Sequence, residues 1–563
     1  MEELKTTQAI SEASATHVKP IISKFYHWEK TTPDKTYLRQ PYGNTWKEYS
    51  WKETGLQARK MATALIEMGY DKSTPIGIVS KNCAHWLIAD LAIIMSNNYS
   101  VPFYPNLTAQ QLEHVLEHSY TKVLFVGKLD NWDEMREGIP GDVRCIALPD
   151  SPATELESWD EIIKDKEPLQ GEFTPNVHDI SSIIYTSGTT GRPKGVIHTH
   201  YGLAITMESV MKTIPLEKIG QKYFSYLPLC HVAERAIIQV WCLYSGGMVS
   251  FVENIDTFMQ NLQDTQPTIF FAVPRIWTKF QMGVLEKMPQ NKLNILLNIP
   301  LISNFVRQKI KKGLGLSQAE MVFTAAAPTP KSLHSWYNKL GLKLQELYGM
   351  TENAGACTLM RKDAYKPGTV GQPYPGVDLK IDDETGEILM KSEWIMKGYF
   401  REPAMTADMI KNGYLHTGDM GEIDEEGHLK ITGRVKDIFK TAKGEYVVPG
   451  PIEWKFAADS FVEQVCVMGS GLPQPIALVI LSAIGKNASR EAVEHSLATM
   501  LTLINAEQVN YERIKKIVIL DDDWSIENGI LTPTLKIKRN LIDSRYLEKA
   551  EKWYELKDNI IWA

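Results

Sequence analysis

The sequence predicts an α/β protein: a large N-terminal α/β domain with parallel sheets and a small β-barrel-like region, followed by a small α+β C-terminal domain. Three observations support this class. Between residues 75 and 252, short runs rich in Val and Ile alternate with helix-like segments, as in parallel sheets covered by helices. After Gly368, glycine-rich turns separate short alternating strands. Beyond Gly433, strands and helices mix again, so we expect a domain boundary near Arg434.

The elements of the first part follow from local patterns. A helix is expected over 108–119 because Thr108 and Gln111 have the spacing of a capping box, and a second helix is expected over 233–244. The strand candidates, in chain order, are 75–80, 100–104, 122–127, 144–148, 182–185, 223–227, 248–252, 268–273, 321–325 and 343–348.

The later elements are shorter. Strands at 386–391 and 427–432 are separated by turns, which predicts a small antiparallel region, and the C-terminal part combines strands at 461–468, 476–482 and 514–520 with a helix at 489–505. We therefore expect an N-terminal domain over 1–433, with a β-rich subregion over about 368–433, and a C-terminal domain over 434–563.

Composition excludes several classes of protein. The 563 residues are 44% hydrophobic with a net charge of −7, so no overall basic field indicates a nucleic-acid partner. The six cysteines form no C-x-x-C pair, which argues against a zinc site and a disulfide scaffold. No secretory signal is recognisable, and the longest apolar stretch, 86–95, is about half the ~20 residues of a spanning helix. We expect a soluble, cytoplasmic protein.

One segment, 297–313, starts apolar and continues into Arg307, Lys309, Lys311 and Lys312. This pattern fits peripheral contact with an anionic membrane surface. It also fits a surface helix with a buried apolar face, and this second interpretation is the more economical one.

The segment 181–200 contains a phosphate-loop candidate that lacks the familiar spacings. Counted from Gly188, Pro193 stands where the second glycine of a Walker A loop belongs, and the dinucleotide fingerprint lacks its first glycine. The glycines still let backbone N–H groups approach a phosphate, the hydroxyls add donors, and Lys194 adds a cation. On these features alone, a surface hairpin loop remains an equal alternative.

Five strings in chain order carry a resemblance to a known family. They are YTSGTTGRPKG from Tyr185, YGMTE from Tyr348, GYLHTGD from Gly413, GRVKD from Gly433 and LTPTLKIKR from Leu531. Together they resemble the motifs of the AMP-forming acyl-CoA synthetases, the adenylate-forming superfamily. The resemblance implies attack of a carboxylate on the α-phosphate of ATP, giving an acyl-adenylate and pyrophosphate, and then attack of a thiol on the acyl carbon.

The resemblance also implies roles for individual residues, with ATP, Mg²⁺ and CoA as co-substrates and cofactor. The outer phosphates would lie in the loop formed by Thr186, Ser187, Gly188, Thr189, Thr190, Gly191 and Lys194. Glu352, with Thr186, would hold Mg²⁺, and Thr351 would contact the α-phosphate. The adenine would lie between Tyr348 with Gly349 on one side and Ala326, Ala327 and Pro328 on the other, while Asp419 and Arg434 would hold the ribose.

Lys536 occupies the place of the family's catalytic lysine, between carboxylate and α-phosphate. Leu535 stands where a glycine usually precedes this lysine, so Lys538 is an alternative assignment. The resemblance further implies a mobile C-terminal domain that rotates about a hinge at Lys436. After rotation, the turn containing Gly444 would face the active site and admit the pantetheine chain of CoA.

The acid is less well defined than the reaction. LPLCHVAE from Leu227 resembles the segment whose histidine, here His231, lines the acyl site, and FFAVPRIW from Phe270 resembles a gate segment with Trp277 as the gate. These aromatic residues could equally be ordinary core. A thiol nucleophile made by Cys230 and His231 is rejected, because neighbours on an extended segment point to opposite faces.

A long-chain fatty acid is the expected substrate, because the strings KGEYV from Lys443 and LPQPIAL from Leu472 resemble the long-chain ligase branch. Medium-chain acids stay open. Two alternatives remain: a fatty acyl-AMP ligase that loads a carrier protein, and a non-catalytic acyl- or nucleotide-binding homologue.

Overall fold

The computed structural model describes residues 18–186, 193–216, 220–456, 459–525, 528–532 and 536–563. Within these residues, no helix is long and apolar enough to cross a lipid bilayer. The fold is α/β, with parallel sheets in the larger part of the chain and a small mixed sheet near the C-terminus, as the sequence predicts.

The largest sheet has eight strands and holds the phosphate-loop candidate at one side. In spatial order its strands are Gly398–Tyr399, Lys194–Thr199, Ile180–Thr186, Tyr99–Phe103, Pro75–Val79, Val123–Val126, Arg144–Ala147 and Glu157–Ser158. The six strands from Ile180–Thr186 onward run parallel, whereas the first two pair antiparallel. The central strands are buried on both faces, as the near-continuous Val and Ile runs predict.

Two further sheets complete the parallel portion. One has four strands in the order Lys222–Ser225, Met248–Phe251, Thr36–Tyr42 and Thr45–Ser50. The other has five, in the order Ile269–Phe271, Met321–Thr324, Leu344–Tyr348, Thr358–Leu359 and Gln372–Pro373, of which the first three run parallel.

Later strands form the antiparallel region and the C-terminal sheet. Strands Asp378–Ile381, Glu387–Lys391, Tyr414–Ile423, Ile410–Lys411 and Leu429–Arg434 pair antiparallel. A hairpin follows at Phe439–Lys440 and Tyr446–Val447, and the C-terminal sheet contains Val462–Met468, Ile476–Leu481, Lys516–Ile519 and Ile560–Trp562. The expected boundary near Arg434 coincides with the end of one strand and stays a prediction.

Helices cover the sheets and begin where side chains cap them. Thr108 and Gln111 form the expected capping box, and Ser50–Glu53 and Ser158–Glu161 form two more. The α-helices are Ile22–Thr31, Trp51–Glu67, Ala84–Met95, Ala109–Ser119, Trp132–Met135, Trp159–Ile163, His200–Met211, Val232–Glu234, Trp241–Ser245, Phe258–Thr265, Pro274–Lys287, Gln290–Asn298, Ile302–Gly313, Lys331–Lys339, Pro403–Met409, Pro449–Phe456, Ala483–Asn487, Arg490–Ala506 and Arg539–Glu555. Short 3₁₀ turns lie at Arg136–Gly138, Thr351–Asn353 and Val435–Asp437.

The prediction of one α-helix over 233–244 was wrong in its middle. Residues Arg235–Val240 form a π-helix between two short α-helices. Arg235 inserts into the core, where its guanidinium donates to Asp90 at 2.7 Å, Ser182 at 2.7 Å and Ser100 at 2.9 Å. A widened turn of this kind is common next to functional sites.

Candidate active site

The phosphate-loop candidate connects two antiparallel strands of the largest sheet. Thr186, at the end of one strand, lies directly opposite Lys194, at the start of the next. Ser187, Gly188, Thr189, Thr190 and Gly191 lie outside the described residues. The backbone pairing of Thr186 with Lys194 fixes both ends of the loop at the edge of the sheet.

Lys194 lies in a partly enclosed, aromatic setting. Its ammonium lies 5.2 Å from the centroid of the Tyr399 ring, close enough for a cation–π contact. Burial lowers the pKa of Lys194, and the nearby Glu352 carboxylate opposes that shift. A cation held in this way, with little hydration, is suited to bind an anionic group such as a phosphate.

Glu352 is a buried carboxylate next to this cation. It belongs to the 3₁₀ turn Thr351–Asn353, only 7% of it is exposed, and its Oε1 accepts a hydrogen bond from the Tyr399 hydroxyl at 2.7 Å. Burial raises the pKa of Tyr399, with the Glu352 charge as the second cause, so the hydroxyl stays a donor. The carboxylate and the Thr186 hydroxyl offer the oxygen ligands that Mg²⁺ prefers, so these residues fit the expected ion.

Asp419 is held from two sides at the predicted ribose position. Its Oδ2 accepts from the Tyr348 hydroxyl at 2.9 Å and its Oδ1 accepts from Arg434 Nε at 2.9 Å. The side chain of Asp419 is 13% exposed, whereas that of Arg434 is 51% exposed. Burial, followed by the Asp419 charge, raises the pKa of Tyr348. Two side chains from two distant motifs thus converge on the carboxylate of a third.

The predicted adenine wall contains two backbone features that restrict substitution. A Cβ on Gly349 would lie 2.3 Å from the backbone of Gly355, so only glycine fits at Gly349. Ala326 has a φ of +73°, in the left-handed region, and it is exposed together with Ala327 beside the half-buried Pro328. The exposed side chains of Ala326 and Ala327 are small, as a wall for a flat base requires.

Lys536 extends from the C-terminal part to the same place. Loss of hydration among the surrounding groups lowers its pKa, and Arg434 lowers it further, whereas Asp419 and Glu352 oppose the shift. Its side chain is exposed to solvent rather than buried in a core. The structure brings Lys536 together with the groups on which the other motifs converge. Lys538 instead flanks the start of helix Arg539–Glu555.

His231 lies within electrostatic reach of Lys536. It caps helix Val232–Glu234, its Nδ1 accepting from the backbone N–H of Ala233 at 3.2 Å. Burial, with a smaller contribution from the Lys536 charge, lowers the pKa of His231 to about 4. The imidazole is therefore neutral near pH 7.

Next to His231, Glu234 is fully buried, and burial raises its pKa to about 8. Its Oε1 accepts from the backbone N–H of Tyr226 at 2.9 Å, from the Ser225 hydroxyl at 3.0 Å and from Asn82 Nδ2 at 3.3 Å. This network fixes the segment that carries His231.

Trp277 is fully buried on helix Pro274–Lys287. Its Nε1 donates to the carbonyls of Ala272 at 3.0 Å and Phe323 at 3.2 Å, and its ring packs edge-on against Phe270 and Tyr337. The gate role stays a prediction, because these bonds are compatible with both a closed gate and ordinary core.

The hinge candidate lies in a clamp that the sequence did not reveal. Lys436 is the middle residue of the 3₁₀ turn Val435–Asp437. At the start of the helix after Lys536, Arg539 Nη2 donates to both carboxylate oxygens of the half-buried Glu453, at 2.7 and 2.8 Å, and Arg539 Nε lies 3.7 Å from Asp437. The Glu453 pair ties Arg539 to helix Pro449–Phe456, and the Asp437 contact ties it to the hinge turn.

Gly444 lies in the turn of the hairpin after the hinge. Its φ is +85°, its N–H donates to the Thr441 carbonyl at 2.9 Å, and a Cβ there would meet only Lys440 Cε at 3.6 Å. Glycine is favoured here because the turn has a positive φ. In the present arrangement there is room for a side chain at this position.

Two residues important for the site were missed at the sequence level. Tyr399, which contacts both Glu352 and Lys194, lies in the string KGYF and carried no motif signal. Arg539 ends the fifth motif but was not assigned a role. The signal that could have directed attention to Tyr399 is its short strand, Gly398–Tyr399, which pairs with the strand that follows the phosphate-loop candidate.

Comparisons with known proteins agree with this geometry. The family described as AMP-binding enzyme matches residues 25–400, and the family described as AMP-binding enzyme C-terminal domain matches residues 436–558. A long-chain-fatty-acid–CoA ligase, ACSBG2, of Xenopus laevis is 27% identical over 93% of this chain and 82% of its own. Long-chain-fatty-acid–CoA ligase 5 of Rattus norvegicus is 29% identical over 92% of this chain and 85% of its own.

Solved structures support the fold. An anthranilate CoA ligase in complex with anthranoyl-AMP superposes with a TM-score of 0.78 at 20% identity, covering 95% of this chain and 98% of the other. The O-succinylbenzoate CoA synthetase of Bacillus subtilis, in complex with AMP, gives a TM-score of 0.71 at 20% identity, covering 96% and 98%. The acids of these two proteins differ, so the shared fold does not define the acid.

Proposed function

The chain belongs to the AMP-binding enzyme family and is an ATP-dependent, AMP-forming acyl-CoA ligase, and we propose that its acid is a long-chain fatty acid. Relatives named as long-chain-fatty-acid–CoA ligases cover nearly the whole chain at 27–29% identity, which supports this choice. The strings from Lys443 and Leu472 agree with the same branch.

The observation that supports the adenylation step of this proposal is the position of Lys536. It comes from the C-terminal part, yet it lies within electrostatic reach of Glu352, Asp419 and His231. An acid that enters past His231 and a nucleotide held by Asp419 would therefore meet at Lys536. This arrangement fits adenylation, in which two anions must be brought together.

In the first half-reaction, a carboxylate oxygen attacks the α-phosphorus, the bond to the β-phosphate breaks, and pyrophosphate leaves. Lys536 neutralises charge at the reacting atoms, and Lys194 binds the leaving group. Asp419, with Tyr348 and Arg434, orients the ribose. Mg²⁺, held by Glu352 and Thr186, would supply further positive charge beside the phosphates.

In the second half-reaction, the CoA sulfur attacks the acyl carbon and AMP leaves. On this proposal Lys536 would serve the first half-reaction, and the C-terminal part would then turn about Lys436 so that the hairpin with Gly444 faces the acyl-adenylate. The neutral His231 would then line the acyl site without adding charge to the apolar chain.

The acyl chain itself would lie beyond His231, next to the aromatic cluster around Trp277. Phe270, Phe280 and Tyr337 surround that indole. Apolar walls select by length and volume rather than by hydrogen bonds, so they suit an alkyl chain. Displacement of Trp277 would lengthen this apolar space.

The test is pyrophosphate release with acids of graded chain length, with and without CoA. We expect release with long-chain acids in both cases and acyl-CoA only when CoA is added. Acyl-adenylate without acyl-CoA would favour a carrier-protein ligase, and no release with any acid would refute catalysis.

A pair of lysine variants serves as the internal control. Lys536→Ala should abolish pyrophosphate release, whereas Lys538→Ala should retain it. The reverse result would show that the catalytic lysine has been assigned two residues too early.

A further inference from the structure

We propose that the helical hairpin Gln290–Gly313 is a docking surface for an anionic lipid bilayer. The binding itself goes beyond the ligase reaction, and only its use, delivery of a membrane-dissolved acid, rests on the proposed function. The hairpin consists of helices Gln290–Asn298 and Ile302–Gly313 and their short connection.

Large apolar side chains at the tip of the hairpin are exposed together. The exposed fractions are 90% for Leu301, 69% for Phe305, 64% for Ile295, 43% for Ile302 and 37% for Ile299. Isolated exposed apolar residues are ordinary on protein surfaces, but five within eleven consecutive positions are an unusual local concentration.

The patch is separate from the face that holds the hairpin in place. Leu293, Leu297 and Val306 are buried in the same core cluster as Trp277 and Phe280. The hairpin therefore has the buried apolar face that one interpretation of the sequence predicts. It also has a second apolar face, which is exposed. Its core contacts are already complete, so the exposed side chains are free to contact something else.

Lysines continue the exposed face toward the C-terminal end of the second helix. Ile302, Phe305, Lys309 and Lys312 follow one another at spacings of three and four, which places them on one side of the helix. In the part of the chain that the structure describes, the ammonium groups of Lys309, Lys311 and Lys312 form no ion pair with a carboxylate.

The cations of this segment are also uncompensated along the sequence. No Asp or Glu occurs between Glu286 and Glu320, although the whole chain carries a net charge of −7. Arg307 is different, because its Nε donates to the Lys339 carbonyl at 2.9 Å and so anchors the helix to the body of the protein. The surface is thus locally positive on a negative protein.

An anionic bilayer complements both halves of this surface. The apolar tip enters the boundary of the acyl chains, while the lysines lie among the anionic headgroups. Each lysine should raise the binding constant about fivefold. A second copy of the chain fits less well, because a symmetric contact would place the lysine faces of both copies close together. Charge therefore favours lipid over self-association.

The experiment is co-sedimentation of the full chain with phosphatidylcholine vesicles, prepared with and without phosphatidylserine. We expect binding that depends on phosphatidylserine and decreases with salt. The double variant Leu301→Ser/Phe305→Ser should lower binding by about tenfold or more. The triple variant Lys309→Gln/Lys311→Gln/Lys312→Gln should remove the dependence on phosphatidylserine. The matched control is Ile255→Ser, since Ile255 is 89% exposed outside the hairpin.

Three results would overturn the proposal: no binding to either vesicle, equal loss in the Ile255→Ser control, or a dimer that the double variant converts to monomer. Failure of the proposed function gives a different pattern. If the acid is not a fatty acid, vesicle binding and its response to the variants stay unchanged. If the acid is a fatty acid, the double variant should keep normal ligase activity with acid supplied from a cyclodextrin solution. It should lose activity only with acid supplied from vesicles.

Discussion

The hydroxyl of Tyr399 offers the sharpest test of the site. Tyr399→Phe removes the 2.7 Å hydrogen bond to Glu352 and keeps the ring that Lys194 contacts. Both partners are buried, with Tyr399 4% and Glu352 7% exposed. The free energy of this hydrogen bond should therefore lie in the upper part of the range for a charged acceptor. Its loss should cost about 2 to 3 kcal/mol, or about 30- to 150-fold in an equilibrium constant.

The physical reason points to nucleotide binding. Without the hydroxyl, the Glu352 carboxylate can turn toward the Lys194 ammonium, and the two charges then neutralise each other instead of serving metal and phosphate. We expect KM for ATP and the Mg²⁺ requirement to rise together, while KM for the acid stays the same. Pyrophosphate release, titrated with ATP and with Mg²⁺ separately, measures this.

The matched control is Tyr42→Phe. It also removes a 2.7 Å tyrosine–carboxylate bond, to Asp150, but on an exposed surface in another part of the sequence. Unchanged ATP and Mg²⁺ dependence in Tyr399→Phe would refute the reasoning, as would an equal change in both variants.

Four further predictions follow from other contacts. Lys194→Ala should raise KM for ATP without altering the chain-length profile, and an altered profile in the acid panel would show that the loop has been misplaced. Gly444→Trp should block the formation of acyl-CoA but not that of acyl-adenylate. Gly444→Asn should retain both, because Asn tolerates the positive φ. Loss of both half-reactions in Gly444→Trp would contradict the assignment. Glu453→Ala should destabilise the chain by about 3 kcal/mol in urea unfolding, because Arg539 loses its buried partner, and an additive double-mutant cycle with Arg539→Ala would argue against the clamp. Burial lowers the pKa of His198 to about 4, below its value in the unfolded chain. Because the unfolded chain then binds the proton first, stability should fall as the pH decreases from about 6.5 to 4. In His198→Gln, the thermal midpoint should lose part of this pH dependence.

Much of the fold was predictable because its determinants are local. The capping box of Thr108 and Gln111 and the Val-rich strands act within a few residues of themselves. The π-helix at Arg235–Val240 was not predictable, because Arg235 bonds Asp90 across 145 positions of sequence and Ser100 across 135. Long-range partners of this kind leave no periodic signal.

The site divides in the same way. Contiguous motifs identified Glu352, Asp419 and Lys536 as candidates, because each lies in a recognisable string. Tyr399 and the pairing of Arg539 with Glu453 required the structure, since their importance depends on which side chains lie opposite them. Whether Trp277 is gate or core stays a prediction, because its carbonyl bonds fit either role.

The strand Lys194–Thr199 has a kinetic consequence. It pairs on one side with Ile180–Thr186 and on the other with Gly398–Tyr399, so one hydrogen-bonded ladder holds Lys194 beside the tyrosine that orients Glu352. None of these groups belongs to the C-terminal part. With Lys536 in its proposed catalytic role, we expect nucleotide to load before closure and independently of it, and bond making to follow the arrival of Lys536. On this proposal, substrate capture and chemical commitment would be separate events in time.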